Sequence, residues 1–208
     1  MARVAADYAF EAALGGVVAG VDEVGRGPLA GPVTAAAVIL SLANIPQGLA
    51  DSKTLTATRR QALFAAIMDC AQVSVAHASV QEIDELNILR ASHLAMERAI
   101  SGLPRAPDHA LIDGNLIPKG LTLPATAIVK GDAKSLSIAA ASIIAKVTRD
   151  ALMVDLAQQF PQYGWDQNAG YPTAAHISAL HIHGVTAWHR RSFKPVHNIL
   201  YQEHFITR

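Results

Sequence analysis

Two short apolar runs separated by a stretch rich in glycine and proline constrain this chain most: VVAGVDEV over 17–24 and PVTAAAVIL over 32–40. Both are rich in β-branched and apolar residues, and GRGPLAG between them turns the chain, so together they predict a β-hairpin. The first run ends in Asp22 and Glu23. An acid that follows VVAGV is drawn toward the core with it, and a buried carboxylate without a partner is costly. Neighbours on a strand face opposite ways, so the two acids aim at one place only if the strand bends, and Gly25 suits a bend. Asp22 is therefore the primary candidate ligand. Glu23 contributes either its side chain or its backbone carbonyl.

The remaining pattern alternates. Spacing predicts a helix over 54–71, a strand over 73–80, and a helix over 82–100 stopped by Gly102 and Pro104. Strands follow over 109–115 and 125–132, then a long helix over 135–160, and two short helices beyond Pro172. In the long helix Leu136, Ala140, Ile143, Val147 and Ala151 recur at three- and four-residue steps and define a buried face. The small residues Ala139 to Ala141 let that face approach a sheet closely. The expectation is an α/β domain with a mixed sheet, without repeats or linkers. At 208 residues and 51% apolar content, one domain buries roughly 70% of its unfolded surface.

The single cysteine, Cys70, offers neither a disulfide framework nor a zinc cluster. The N-terminal segment is interrupted by Asp7 and Glu11 and lacks the apolar core of a secretory signal, and no apolar run approaches the ~18 residues of a membrane span. A cytoplasmic protein without a membrane partner is expected. With 17 basic and 17 acidic residues the net charge is zero, which argues against coating nucleic acid by charge alone. The distribution is uneven, however. From Tyr171 onward Arg190, Arg191, Lys194 and Arg208 face a single acid, Glu203, and six of the nine histidines lie there. That end reads either as a phosphate-meeting surface or as a solvated tail.

Two further acids stand at predicted strand ends beside glycine: Asp113 in LIDGN and Asp132 in VKGDAKS. Taken singly, Asp113 also reads as a turn residue and Asp132 as a helix cap. Taken with Asp22, they sit where open α/β sheets bind ligands. Carboxylates gathered at one place repel, and a hard divalent cation with oxygen ligands, Mg²⁺ or Mn²⁺, relieves the repulsion. Two such ions roughly 3.5 to 4 Å apart serve phosphodiester displacement. The pair His181 and His183 lacks further ligands at zinc-like spacing.

The glycines exclude a nucleotide cradle. GRGPLAGP matches neither G-x-x-x-x-G-K-[ST] nor G-x-G-x-x-G, and Pro28 and Pro32 oppose a helix there. Gly25 and Gly27 instead let the backbone approach something bulky, while Arg26 grips phosphate.

With these residues assembled, the chain resembles the bacterial type 2 ribonuclease H family, ribonuclease HII. The resemblance is carried by GVDEVGRGPLAGPV, LADSKTLT, LNILRAS, LIDGN, KGDAKSLSIAAASIIAKVTRD, FPQYGWDQNAGYPT and HRRSF, in order from Gly20 to Phe193. Val24 departs from it, since the family usually has alanine there. The resemblance implies an RNase H-like fold, a mixed five-stranded sheet flanked by helices, forming one catalytic domain over 1–208 with a helical substrate-binding part from about 171. It implies catalytic, metal-holding acids at Asp22, Glu23, Asp113 and Asp132, with two Mn²⁺ or Mg²⁺ ions. It implies hydrolysis of the RNA strand of RNA/DNA hybrids, and incision 5′ of single ribonucleotides embedded in duplex DNA, leaving 3′-hydroxyl and 5′-phosphate ends. Gly25, Arg26, Gly27 and Tyr171 are then the readers of the ribose 2′-hydroxyl, and Lys53, Arg190 and Arg191 are candidate phosphate contacts. A monomer is expected. A replication clamp is a candidate partner, for which the chain shows no clear terminal tether.

Overall fold

The computed structural model describes residues 6–201. Five strands form one sheet in the order β3-β2-β1-β4-β5: β1 (Val18–Val24), β2 (Val33–Ile39), β3 (Gln72–Ala78), β4 (His109–Asp113) and β5 (Ala125–Ile128). The predicted hairpin is present: β1 and β2 pair antiparallel, with Val24 opposite Thr34. β2 and β3 are also antiparallel, whereas β1–β4 and β4–β5 are parallel, so the sheet is mixed.

Every residue of β2 is buried, as a continuous apolar run requires when both faces of a sheet are covered. Ala35, Ala37 and Ile39 join Ala91, Ala95, Met96 and Ala99 of α4 (Ile88–Ser101) on one face. Ala36 and Val38 meet Leu63 and Ile67 of α2 (Ala57–Cys70) and Ala139–Ala141, Ile143 and Ile144 of α5 (Leu136–Gln159) on the other. Gly20 sets how close α5 comes. A Cβ at that position would stand 2.1 Å from the Ser137 carbonyl carbon, so the first turn of α5 lies on the bare backbone of β1.

The helix expected over 82–100 is two helices. Between α3 (Val80–Leu86) and α4, Asn87 adopts φ 68 and caps α4, its Oδ1 accepting from the amides of Leu89 and Arg90. At φ 68 and ψ 163 its backbone is far from helical, so the helix is interrupted at this residue. The strand expected over 125–132 stops at Ile128, because Lys130 turns at φ 55 into a single 3₁₀ turn, Gly131–Ala133. A short N-terminal helix, α1 (Ala9–Leu14), lay outside the sequence-based expectation. Its Glu11 is buried and accepts from the Ser135 hydroxyl (2.6 Å) and from the Ser137 amide (2.9 Å) and hydroxyl (2.5 Å), tying α1 to the start of α5.

The buried face of α5 also differs from expectation in its second half. Val147 is half-buried and Ala151 exposed, while Arg149, Met153, Leu156 and Ala157 point inward. Beyond the sheet the helix has a new neighbour. A third apolar cluster joins Met153 and Leu156 to Leu29, Tyr163, Trp165, Leu180 and Val196, drawn from the turn after β1, the 3₁₀ turn Pro161–Tyr163, α6 (Trp165–Asn168), α7 (Ala174–His183) and α8 (Lys194–Tyr201). The two short helices expected beyond Pro172 are α7 and α8. Arg208 and Glu203 lie outside the described residues. No helix among these is long and apolar enough to cross a membrane.

Candidate active site

Register brings the first two acids together. The β1–β4 pairing ends at Val21 opposite Ile112, so Asp22 and Asp113 are the next residues on adjacent parallel strands and share the α5 face. Asp132 arrives from the 3₁₀ turn after β5, whose last pair is Asp113 opposite Ile128. The Gly131 amide donates to Asp113 Oδ1 at 2.7 Å and thereby pins that turn to β4. Gly131 packs closely here: a Cβ would meet Ile138 Cδ1 at 2.6 Å and Asp113 Oδ1 at 3.3 Å.

Glu23 alternates to the other face, as strand geometry dictates, and still takes part. Its Oε1 pairs with Arg26 Nη1 at 3.2 Å, while its Oε2 is buried with no hydrogen-bond partner. Asp22 Oδ1 accepts from the Glu23 amide at 2.7 Å.

The electrostatics show the convergence. Burial, then the charges of Glu23, Asp113 and Asp132, push the Asp22 carboxyl well above the usual range. Burial raises Glu23 as well, with Arg26 pulling it down and Asp113 pushing it up. Asp132 is raised by burial, then by Asp113 and Asp51, and lowered by Lys53. Asp51 is an acid of this neighbourhood that the motif reading passed over; its side chain accepts from the Lys53 amide at 2.9 Å and caps the turn Ser52–Thr54. Lys53 is exposed beside it.

The donor set suits hard divalent cations: carboxylate oxygens only, mutually repelling, one of them buried and unpartnered. Among the described residues no three acidic, histidine or cysteine side chains already stand together as a closed metal-binding group.

The turn over 25–32 carries the other predicted residues. Gly25 has φ 92, and a Cβ there would meet Arg149 Nε at 2.1 Å, so the bulky neighbour that this glycine admits is an arginine from α5. A Cβ on Gly27 would stand 3.2 Å from Tyr171 Cε1, which places the tyrosine against the glycine-bearing turn with 44% of its surface exposed. Arg26 is exposed. Val24 is half-buried against the α5-side cluster. Arg191 is exposed, its amide donating to Asp84 Oδ2 at 3.0 Å.

Arg190 corrects the expectation of a phosphate contact. It is fully buried, and its guanidinium donates to the carbonyls of Gly31 (2.9 Å), Arg26 (3.0 Å) and Gly25 (2.6 Å). All of its nitrogens face protein. Arg149, which motif reading did not single out, is equally buried. Its place four residues from Ala145 and from Met153, both buried on α5, is the signal that marks it as inward-pointing.

Comparison with known proteins agrees with this geometry. Residues 19–196 match the family model Ribonuclease HII. Ribonuclease HII of Ruegeria pomeroyi is 67% identical over 201 residues, covering 95% of this chain and 86% of the relative. The ribonuclease H2 structure from Pyrococcus horikoshii OT3 superposes with a TM-score of 0.76 at 29% identity, over 91% of this chain and 99% of that one. The PCNA:RNase HII complex from Archaeoglobus fulgidus gives 0.68 at 28% identity, over 86% and 95%. The mixed sheet with flanking helices is therefore the RNase H-like fold. With a match that spans both the strands bearing the acids and the turn that carries Gly25 to Gly27, the chain belongs to the ribonuclease HII family of endoribonucleases.

Proposed function

We propose that this chain hydrolyses the RNA strand of RNA/DNA hybrids, the activity of the family to which it belongs. It is a metal-dependent endonuclease that also incises duplex DNA on the 5′ side of a single embedded ribonucleotide, leaving 3′-hydroxyl and 5′-phosphate ends, in the removal of ribonucleotides from DNA. The observation that carries this reading is the set of acids at the ends of β1, β4 and β5, with the Glu23 Oε2 atom buried and unpartnered. Asp22, Glu23, Asp113 and Asp132 hold two Mn²⁺ or Mg²⁺ ions. Such ions, when bound, supply Lewis acidity for activating water and stabilising the departing 3′-oxygen.

The chain's own residues do the rest. Asp22, at 7% exposure, and Asp113 hold the reacting phosphate's surroundings in one place because strand register leaves them no freedom. Glu23 divides its carboxylate between Arg26 and the interior. Arg26, Lys53 and Arg191 are exposed and meet backbone phosphates. Gly25, Arg26, Gly27 and Tyr171 form the wall that meets the ribose, where the 2′-hydroxyl is what separates RNA from DNA. A site built to hydrogen-bond one hydroxyl rejects the analogue lacking it by roughly 10⁴ to 10⁵. The segment from about residue 171 belongs to this substrate-binding face of the one catalytic domain. We read the enzyme as a monomer, and as cytoplasmic in keeping with its lone cysteine, Cys70. The Archaeoglobus protein is seen with PCNA, and only the nucleic-acid partner is extended to this chain.

The test is a DNA duplex carrying one ribonucleotide, with Mn²⁺, with Mg²⁺ and with chelator, its products mapped at single-nucleotide resolution. One metal-dependent cut 5′ of the ribonucleotide is expected, and Asp113→Asn should lose it. Equal cleavage of an all-DNA duplex, or wild-type turnover by Asp113→Asn, would overturn the reading.

A further inference from the structure

Two arginines distant in the chain converge behind the turn over 25–32. Arg149, from α5, donates through Nε to the Pro32 carbonyl (3.0 Å), through Nη2 to Ala30 (3.1 Å) and through Nη1 to Ala169 (3.0 Å). Arg190 takes the carbonyls of Gly31, Arg26 and Gly25. Backbone bonds complete the join: Leu29 N to Gly170 O (2.8 Å), Gly31 N to Trp188 O (2.9 Å) and Arg190 N to Leu29 O (2.8 Å). The glycine-bearing turn and the turn that ends in Tyr171 are thus joined by the Arg149 side chain and the Leu29–Gly170 backbone bond, while Arg190 fixes the glycine-bearing turn from behind.

Such burial needs a reason. Arg149 and Arg190 are 1% and 0% exposed, and among the described residues neither forms an ion pair. The charge of Asp150 reaches Arg149 and that of Asp84 reaches Arg190, while Arg149 itself repels Arg190. Desolvation lowers Arg149 to about 10 and Arg190 to about 9, which leaves both cationic at neutral pH. An unpaired buried cation is a poor device for stability alone, since apolar side chains of similar volume fill the same space at lower cost. What a guanidinium adds is a rigid planar fork that sets directions. Here the forks close on carbonyls of residues 25, 26 and 169, which border the face where Gly27 meets Tyr171.

We propose that Arg149 and Arg190 are positioning residues for ribonucleotide discrimination: they hold the Gly25-Arg26-Gly27 turn and Tyr171 at one separation, so that the ribose is gripped from both sides. The proposal rests on the reading of those residues as the ribose-binding wall. Neither arginine touches substrate. Arg190 acts through the carbonyls of Gly25 and Arg26, and Arg149 through those of Ala30, Pro32 and Ala169, which flank the wall on its two sides.

The test is a double-mutant cycle of Arg190→Lys and Tyr171→Ala, with kcat and KM measured on a duplex bearing one embedded ribonucleotide in saturating Mn²⁺. Lysine keeps the charge and loses the fork. Arg190→Lys should lower kcat about 100-fold while KM stays within about threefold, the size of effect that a displacement of about 1 Å produces. Tyr171→Ala should cost at least about tenfold. The double variant should fall no more than about threefold below the worse single, because both changes remove the same grip. A merely structural arginine gives losses that multiply; that result, or wild-type kcat in Arg190→Lys, overturns the proposal and leaves the ribose-binding wall standing. Wild-type turnover by Tyr171→Ala removes the wall itself, and the proposal with it. If circular dichroism shows Arg190→Lys unfolded, Arg149→Lys in the same two backgrounds carries the same expectations.

Discussion

Acid should weaken the C-terminal part of this protein through a pair of buried histidines. His176 Nδ1 lies 2.9 Å from the Tyr171 carbonyl, so that nitrogen carries the proton and donates. His176 Nε2 is then an acceptor, and takes bonds from Trp165 Nε1 and from His189 Nε2, each at 3.1 Å. His189 Nδ1 in turn accepts from the Thr186 amide (3.0 Å) and hydroxyl (2.9 Å). Both rings are satisfied only when neutral. A further proton on either one sets donor against donor. Burial, then the charge of His176, pushes His189 down to about 3 from its ordinary 6.5, and burial lowers His176 too. Because the folded-state value is depressed, the unfolded chain takes up the proton first as pH falls. The stability is therefore whole above about pH 6.5 and is lost progressively below it, toward pH 3. At about 1.4 kcal/mol per pH unit, moving to pH 5.0 costs about 2 kcal/mol through His189. The assay is urea unfolding at pH 7.5 and pH 5.0 for the wild type and for His189→Gln, whose amide can accept and donate without titrating. The wild type should lose about 2 kcal/mol more than the variant between the two conditions. Equal losses would refute the neutral-pair reasoning.

Gly20→Ala should force α5 away from β1, since its Cβ would meet the Ser137 carbonyl carbon at 2.1 Å; a loss of about 3 kcal/mol is expected, visible as a fall in melting temperature of about 6–12 °C. Glu11→Ala leaves the Ser135 and Ser137 donors without their acceptor and should cost about 2 kcal/mol by the same measurement, with an unchanged melting curve counting against the buried anchor. Gly27→Ala places a methyl 3.2 Å from the Tyr171 ring without straining the backbone, so turnover at an embedded ribonucleotide should drop about tenfold while the melting temperature holds. Undiminished turnover would show that Gly27 does not border the ribose.

What could be read in advance follows from which forces act locally. Asp22 was legible because an acid at the end of a buried apolar run needs a partner, and Asp113 and Asp132 because they close further runs beside glycine. The hairpin and the mixed sheet came from the same runs. The break at Asn87 depends on one backbone angle, which an asparagine permits without demanding. Ala151 was misplaced because helical spacing tells which residues share a face, while the element that covers that face changes halfway along α5. Arg190 carries a charge in any reading of the chain. Only the fold shows that three carbonyls from residues 25, 26 and 31 wait for it.

The pairing of β1 with β4 has a consequence for quality control in the cell. Because Asp22 and Asp113 follow directly after the last pair of the ladder, Val21 with Ile112, a slip of β4 by one residue would turn Asp113 toward α4 and leave Asp22 facing α5 alone. Such a slip would separate two of the four acids proposed to hold the metal ions, so activity is expected to depend on correct strand register. For an enzyme whose proposed work is to nick DNA, the safest error is silence, and the alternation of a parallel strand provides it.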